Sequence, residues 1–239
     1  MHSDFLSRFF ITILIIIYHT GTCKANIPLS GLHNQRQDTI PENQGLYNGR
    51  VWRNFYSAVE GDQFLFLKEF LPGSVTMKGR TFPDIMIMYD IFKDEILTPY
   101  KPVGILQLNK ELADSFSILF LNKKYHFERI QGSSMEELNG YCNIIYKGGS
   151  ELLVRYIKKI EKLADGGRYD KFYQLNRIFL ERNGKIYLIS SKRDFIKIFS
   201  DYRKQIRNFI NKNNITVLRG DAESFVPLLQ FTDTLGKQE

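Results

Sequence analysis

Histidine and cysteine, the side chains that nucleophilic and metal chemistry draw on most, are scarce in this 239-residue chain, which has four His and two Cys. Cys23 lies in an N-terminal segment with the features of a removable signal. The processed chain is therefore expected to keep Cys142 alone, which excludes an intrachain disulfide and leaves stability to a packed core. His33 and His126 are the histidines beyond that segment, too few for the four ligands of a structural zinc site. A thiolate–imidazole pair between Cys142 and His126 across neighbouring strands is one nucleophilic arrangement to weigh. The plainer expectation is a half-buried free thiol and a surface imidazole. No Gly-x-Ser-x-Gly elbow, Walker loop or dinucleotide fingerprint occurs. Gly148-Gly149 and Gly166-Gly167 read as turns rather than phosphate cradles. Asp90, Asp94 and Glu95 bracket an expected hairpin turn, where Asp serves backbone hydrogen bonding, and nothing marks a glycosidase-like acid pair. No catalytic, cofactor-binding or metal-binding residue is assigned, and no cofactor is expected.

The apolar run Phe9–Tyr18 (FFITILIIIY) follows a single basic residue, Arg8, and precedes the small and polar stretch "TGTCKAN". That order is the n-region, h-region and cleavage site of a secretory signal peptide. Ten residues of helix cover roughly 15 Å, about half the hydrocarbon core of a bilayer, so a lasting span is not expected. Cleavage is expected after Ala25, making 1–25 the signal and placing the protein in the periplasm or at the cell surface. Lipidation of Cys23 is the alternative, although Thr20-Gly21-Thr22 is a poor lead-in for it.

Residues 26–49, polar and with two prolines, read as a flexible leader. A single α+β domain is expected over 50–235, β-rich to 190 and helical from 191. In 74–98, Lys78-Gly79 and Lys93-Asp94 mark turns between apolar runs; in 115–130, Asn122–Lys124 does the same. Gly148-Gly149 predicts a two-residue hairpin turn in which Ile145 opposes Leu152 and Ile144 opposes Leu153. Asn183-Gly184 predicts a second one, pairing Leu180 with Tyr187 and Ile178 with Ile189. Successive hairpins without crossover helices predict an antiparallel meander: a curled sheet, sandwich or partial barrel. "RYIKKIEK" (155–162) reads as a strand running out into solvent. Ser191 and Asp194 have capping-box spacing, and 222–234 is a further amphipathic helix if Pro227 lies in its first turn.

Three stretches carry a resemblance: "GDQFLFLKEFLPGSVTMKGRTFPDIMIMYDIFKDEI" (61–96), "GYCNIIYKGGSELLVRYIKK" (140–159) and "NGKIYLISSKRDFIKIFSDYRKQIRNFINKNNI" (183–215). Together they resemble an uncharacterised family of exported Bacteroidota proteins to which no function is assigned. The resemblance spans roughly 50–230. It implies export and this architecture, supplies no catalytic residue, and implies a helix break near Ser200, where members often have Pro.

The chain carries 13 Tyr, 19 Phe and a net charge of +7, which loss of Arg8, Lys24 and Asp4 with the signal would lower by one. Most aromatics are expected to pack a sheet face, with Trp52, Phe55 and Tyr56 as the candidate exposed strip. Residues 190–213 hold seven Lys or Arg against two Asp. At helical spacing Tyr202, Ile206, Phe209 and Ile210 form one apolar arc, which Phe195 and Phe199 extend if the helix continues through Ser200, and the cations, Arg203, Lys204 and Arg207 among them, form a solvated rim. Nucleic acid is not an expected partner of an exported chain. Association with an anionic membrane surface through Arg203, Lys204 and Arg207 stays open. The expected function is non-enzymatic, structural or interactive, in the cell envelope, with an envelope protein or glycan as partner. The alternative is a carrier of a small apolar ligand or lipid in a sheet cavity.

Overall fold

The computed structural model describes residues 45–101, 104–162 and 170–236. The expected signal, its cleavage site, Cys23, His33 and the Gly166-Gly167 turn lie outside the described residues. Eleven strands form one antiparallel sheet, and three short helices follow them. The architecture is thus the α+β meander that the hairpin signals predict.

The strands are β1 (Gly49–Val51), β2 (Leu71–Met77), β3 (Arg80–Asp90), β4 (Glu95–Tyr100), β5 (Gly104–Leu108), β6 (Ala113–Phe120), β7 (Lys123–Ile130), β8 (Gly140–Lys147), β9 (Glu151–Glu161), β10 (Lys171–Arg182) and β11 (Lys185–Ile189). Their spatial order is β1-β5-β4-β3-β2-β6-β7-β8-β9-β10-β11, with β1 and β11 as the edges of an open sheet. The packed chain begins ahead of Val51, inside the expected leader: Leu46 is fully buried and Gly49 pairs with Leu108.

Turn chemistry explains the hairpins. Lys78-Gly79 and Asn183-Gly184 both take positive φ, as two-residue turns matched to strand twist require. The β10–β11 register is the expected one, Leu180 with Tyr187 and Ile178 with Ile189. Two turns differ from expectation. The β6–β7 turn is Leu121-Asn122, both at positive φ, so Lys123 and Lys124 belong to β7. Asn122 tolerates this conformation, and Leu121 is carried there by the pairing of Phe116 with Phe127 on either side. At the β8–β9 turn, Lys147 pairs with Glu151, so the loop holds three residues, Gly148 to Ser150. The register shift between Ile144 and Tyr146 makes Ile145 a bulge residue, and Tyr146 rather than Ile145 opposes Leu152. Ile144 still opposes Leu153.

A short connection forces the sheet to curl. β5 and β6 are four positions apart in the sheet, about 19 Å if it were flat. Residues 109–112 join them, and they are folded into a compact turn by hydrogen bonds from Leu112 N to Asn109 O and from Ala113 N to Lys110 O. Such a turn cannot reach across a flat sheet, so the first strands wrap round. Segment 60–65 stitches the wrap: Leu65 N donates to Tyr89 O, Ile91 N to Gln63 O, and Phe172 N to Glu60 O. Lys158 N also donates to Ile91 O at 3.2 Å, tying β9 to the end of β3.

Aromatics fill the wrap. Phe116 and Phe127 stack with centroids 4.6 Å apart, and Tyr89 and Tyr141 pack edge-on against Phe116. A second core lies between the helices α1 (Lys192–Ile198), α2 (Arg203–Lys212) and α3 (Val226–Gly236) and the strands that supply Leu152, Val154, Ile178, Leu180 and Ile189. Phe195, Phe199, Ile206 and Ile210 are buried in it, with Tyr202 and Phe209 partly buried beside them, as the apolar arc predicts. Ser191 caps α1 by accepting from Asp194 N, and the Asp194 carboxylate accepts from Ser190 N and Ser191 Oγ. The helical path breaks into a 3-10 turn at Ser200–Tyr202. Pro227 sits in the first turn of α3, where its missing N–H costs nothing.

Candidate functional site

Trp52, Phe55 and Tyr56 line a single surface hollow of about 560 Å³ beside the start of the sheet. Each is held differently. Trp52 N donates to Ile105 O, and its indole packs on Phe64 at 6.0 Å. Tyr56 N donates to Asn54 Oδ1, and the Tyr56 ring meets Phe92 edge-on at 4.9 Å. Phe55 between them is 79% exposed, unsupported by the core. The strip read from the sequence is therefore two anchored rings flanking a free one.

Polar groups complete the hollow. Arg50 Nε donates to Gln107 Oε1 at 2.8 Å, and its Nη2 donates to Glu95 Oε1 at 3.3 Å. Lys93 Nζ lies 5.5 Å from the Tyr56 ring centre, and a hydrogen bond with the Tyr56 hydroxyl raises its pKa. Asp90 and Glu95 are direct cross-strand partners on β3 and β4, so both carboxyls belong to one wall. Burial raises Asp90 to about 6, against the lowering effect of its hydrogen bonds from Lys93 N, Gln63 Nε2 and Phe92 N. Burial likewise raises Glu95, partly offset by Arg50. Asp90 is 1% exposed and both its oxygens are engaged, which is the turn-bonding role expected for it.

Asp94, expected to share that role, does something else. Its carboxylate is buried and accepts from Tyr89 Oη at 2.5 Å, Arg155 Nη1 at 3.1 Å and Tyr141 N at 3.3 Å, and it pairs with Lys110. Burial pushes this carboxyl up, but Arg155 and Lys110 together outweigh it and hold it below the usual carboxylate range. Arg155 also donates to Tyr141 O at 3.0 Å. Lys158 Nζ donates to Asp62 Oδ1 at 2.9 Å and to Phe64 O at 2.7 Å. Residues 155–162 are thus not a strand running out into solvent: β9 pairs with β10 through Glu161, and Arg155 and Lys158 are clamps. One signal for this was present in the sequence, a guanidinium set within the apolar run "LLVRYI", which calls for a buried partner.

Cys142 is fully buried, donates to Leu138 O, and has its thiol pushed up to about 12 by burial. His126 is exposed on β7 with Nε2 3.4 Å from Glu128. The two do not form a thiolate–imidazole pair. The cysteine is wholly rather than half-buried.

Arg203 and Arg207 line a second hollow, of about 680 Å³, between α1 and α2, together with Lys192, Arg193 and Lys197. Lys204 is exposed and is not among its lining residues. Five of the seven cations of 190–213 are therefore gathered rather than spread over a rim, because the break at Ser200 turns the basic sides of two helices toward each other, while Lys204 and Lys212 stay on the exposed surface as expected. No group of three or more His, Cys, Asp or Glu among the described residues is placed to hold a metal ion.

No protein-family model, no curated protein and no solved structure matches the chain.

Proposed function

We propose that the chain is an exported, non-enzymatic protein of the cell envelope that binds a glycan in the hollow of Trp52, Phe55 and Tyr56. The carrying observation is the free Phe55 ring, which lines one hollow with the two anchored aromatics and with Arg50, Gln107 and Glu95, whose side chains are joined by hydrogen bonds from Arg50. A sugar ring has apolar C–H faces and a rim of hydroxyls, so it is matched by aromatic surface combined with a few oriented polar groups. Export rests on the N-terminal run and its flanks.

Binding without chemistry is favoured by the carboxyl arrangement. A glycosidase sets two carboxyls on either side of the scissile bond. Here Asp90 and Glu95 stand on one wall, and Asp90 is occupied by three hydrogen bonds. The carrier alternative has less support, since Tyr89, Phe116, Phe127 and Tyr141 occupy the inside of the curl.

Calorimetric titration of the chain with fragments of cell-envelope polysaccharide tests the reading. Binding that Phe55→Ala and Trp52→Ala abolish, without product formation, is expected. A Phe55→Ala protein that binds the same fragments unchanged, or a parent that binds none of them, would overturn it.

A further inference from the structure

The hollow between α1 and α2 does not belong to the aromatic site. Three cations from α1 (Lys192, Arg193 and Lys197) and two from α2 (Arg203 and Arg207) line it, with Ile210 contributing apolar surface. Elsewhere exposed or half-exposed cations have partners: Arg50 with Glu95, Lys147 with Glu151, Lys171 with Glu60, Arg177 with Glu137. None of the five in this hollow pairs with a carboxylate among the described residues. The nearest acids in sequence are already engaged, Asp194 by Ser190 and Ser191, and Asp201 by Arg182.

The cluster is also unfavourable within its own helices. Arg193 and Lys197 are four residues apart on one helix, as are Arg203 and Arg207 on the other, and like charges at that spacing repel. Arg203 and Lys204 begin α2, whose dipole opposes positive charge there, and no acidic residue stands in that first turn. Local repulsion uncompensated inside the fold is characteristic of sites that meet an external ligand. Three guanidinium forks in one concavity suit tetrahedral oxyanions, and a phosphate offers more charge and more acceptor oxygens than a carboxylate.

We propose that this hollow binds a phosphate group carried by an envelope ligand, its source being either a phospholipid headgroup or a soluble phosphorylated saccharide.

The test uses the full-length chain, inorganic pyrophosphate as probe, and two matched double variants, each compared with the parent by circular dichroism. R203Q/R207Q removes two charges from the hollow, and K204Q/K212Q removes two from the same helix outside it. Losing two charge-assisted contacts should weaken pyrophosphate binding at least about tenfold in the first variant, with little change in the second. Equal weakening in both would reduce the effect to net charge and overturn the site, as would a parent that does not bind the probe at low salt. Two further arms identify the source. Co-sedimentation with phosphatidylglycerol vesicles but not phosphatidylcholine vesicles, lost in R203Q/R207Q, assigns a headgroup. Binding of glucose 6-phosphate with no vesicle association assigns a soluble ligand. Failure in both arms would overturn the proposal, and neither outcome touches the aromatic hollow, which is tested separately through Phe55.

Discussion

Asp94 in the β3–β4 turn and Arg155 on β9, 61 residues apart, form a 3.1 Å ion pair with side chains 10% and 12% exposed. It closes the wrap of the sheet, because the same carboxylate accepts from Tyr89 and from the Tyr141 backbone. Removing one partner of a buried pair leaves the other charge without compensation, at a cost of about 3–5 kcal/mol. Arg155→Met and Asp94→Asn should each lower the unfolding free energy measured by urea denaturation by that order, and the double variant should lose less than their sum. A single variant costing under about 1 kcal/mol would mean that water reaches the pair.

Asp90 and Asp94 should pull the pH dependence of stability in opposite directions. The Asp94 carboxyl is held low, so the folded state binds fewer protons than the unfolded chain in acid. Its contribution is full above the unfolded value of about 3.9 and is lost as the pH falls through the folded one. Asp90, raised to about 6, holds a proton that the unfolded chain has released, so stability falls as the pH rises from about 4 to 6. Asp90→Asn should flatten that window and stabilise the protein at neutral pH by no more than about 3 kcal/mol, once Gln63 turns its amide to accept. Urea unfolding across about pH 2–7 checks both slopes, that of Asp94 below about pH 4 and that of Asp90 above it.

Gly140, at the start of β8, has φ +129 and lies against the Asp94–Arg155 pair, where a Cβ would collide with the Arg155 guanidinium and with Asp94 Oδ2. Gly140→Ala combines an unfavourable backbone with displacement of a buried ion pair. Thermal unfolding should show a loss of several kcal/mol, about the size of the Arg155→Met effect, and the double variant should not be additive. Additive losses would separate the glycine from the ion pair.

Cys142 should be chemically silent in the native state. A buried thiol pushed up to about 12 holds almost no thiolate at neutral pH. Ellman's reagent should react at the rate of global unfolding and fast in urea; a rapid native reaction would point to local opening of β8.

Asp233 near the end of α3 accepts from Tyr146 Oη at 2.7 Å and from Gly149 N at 2.9 Å, fastening the last helix to the β8–β9 turn. Burial, and then the Asp233 hydrogen bond, push the Tyr146 phenol up to about 12. Asp233→Ala should cost about 1–3 kcal/mol and raise hydrogen exchange in α3. Unchanged exchange there would show that the apolar contacts of Leu228 and Leu229 suffice.

Short-range signals in the sequence determined the elements. Lys78-Gly79 and Asn183-Gly184 set two turns and their registers, Ser191 with Asp194 set the start of α1, and the spacing of Phe195, Phe199, Ile206 and Ile210 set the face that docks. These depend on φ preference, periodicity and side chains within four residues, all readable in order along the chain. Glycine preference read the β8–β9 turn one residue short, because packing of Tyr146 against α3 favours a bulge that no local rule specifies. Only the tertiary structure decided what meets across distance. The curl from the short β5–β6 connection brought Asp94 to Arg155 and Asp62 to Lys158, turning an apparent turn residue and two cations of an apparently solvated strand end into clamps. The break after α1 likewise gathered five cations into one hollow that a single straight helix would have scattered. Charge reads as solvated in a sequence because its partners, or their absence, are set by loop closure and wrapping, which linear spacing does not encode.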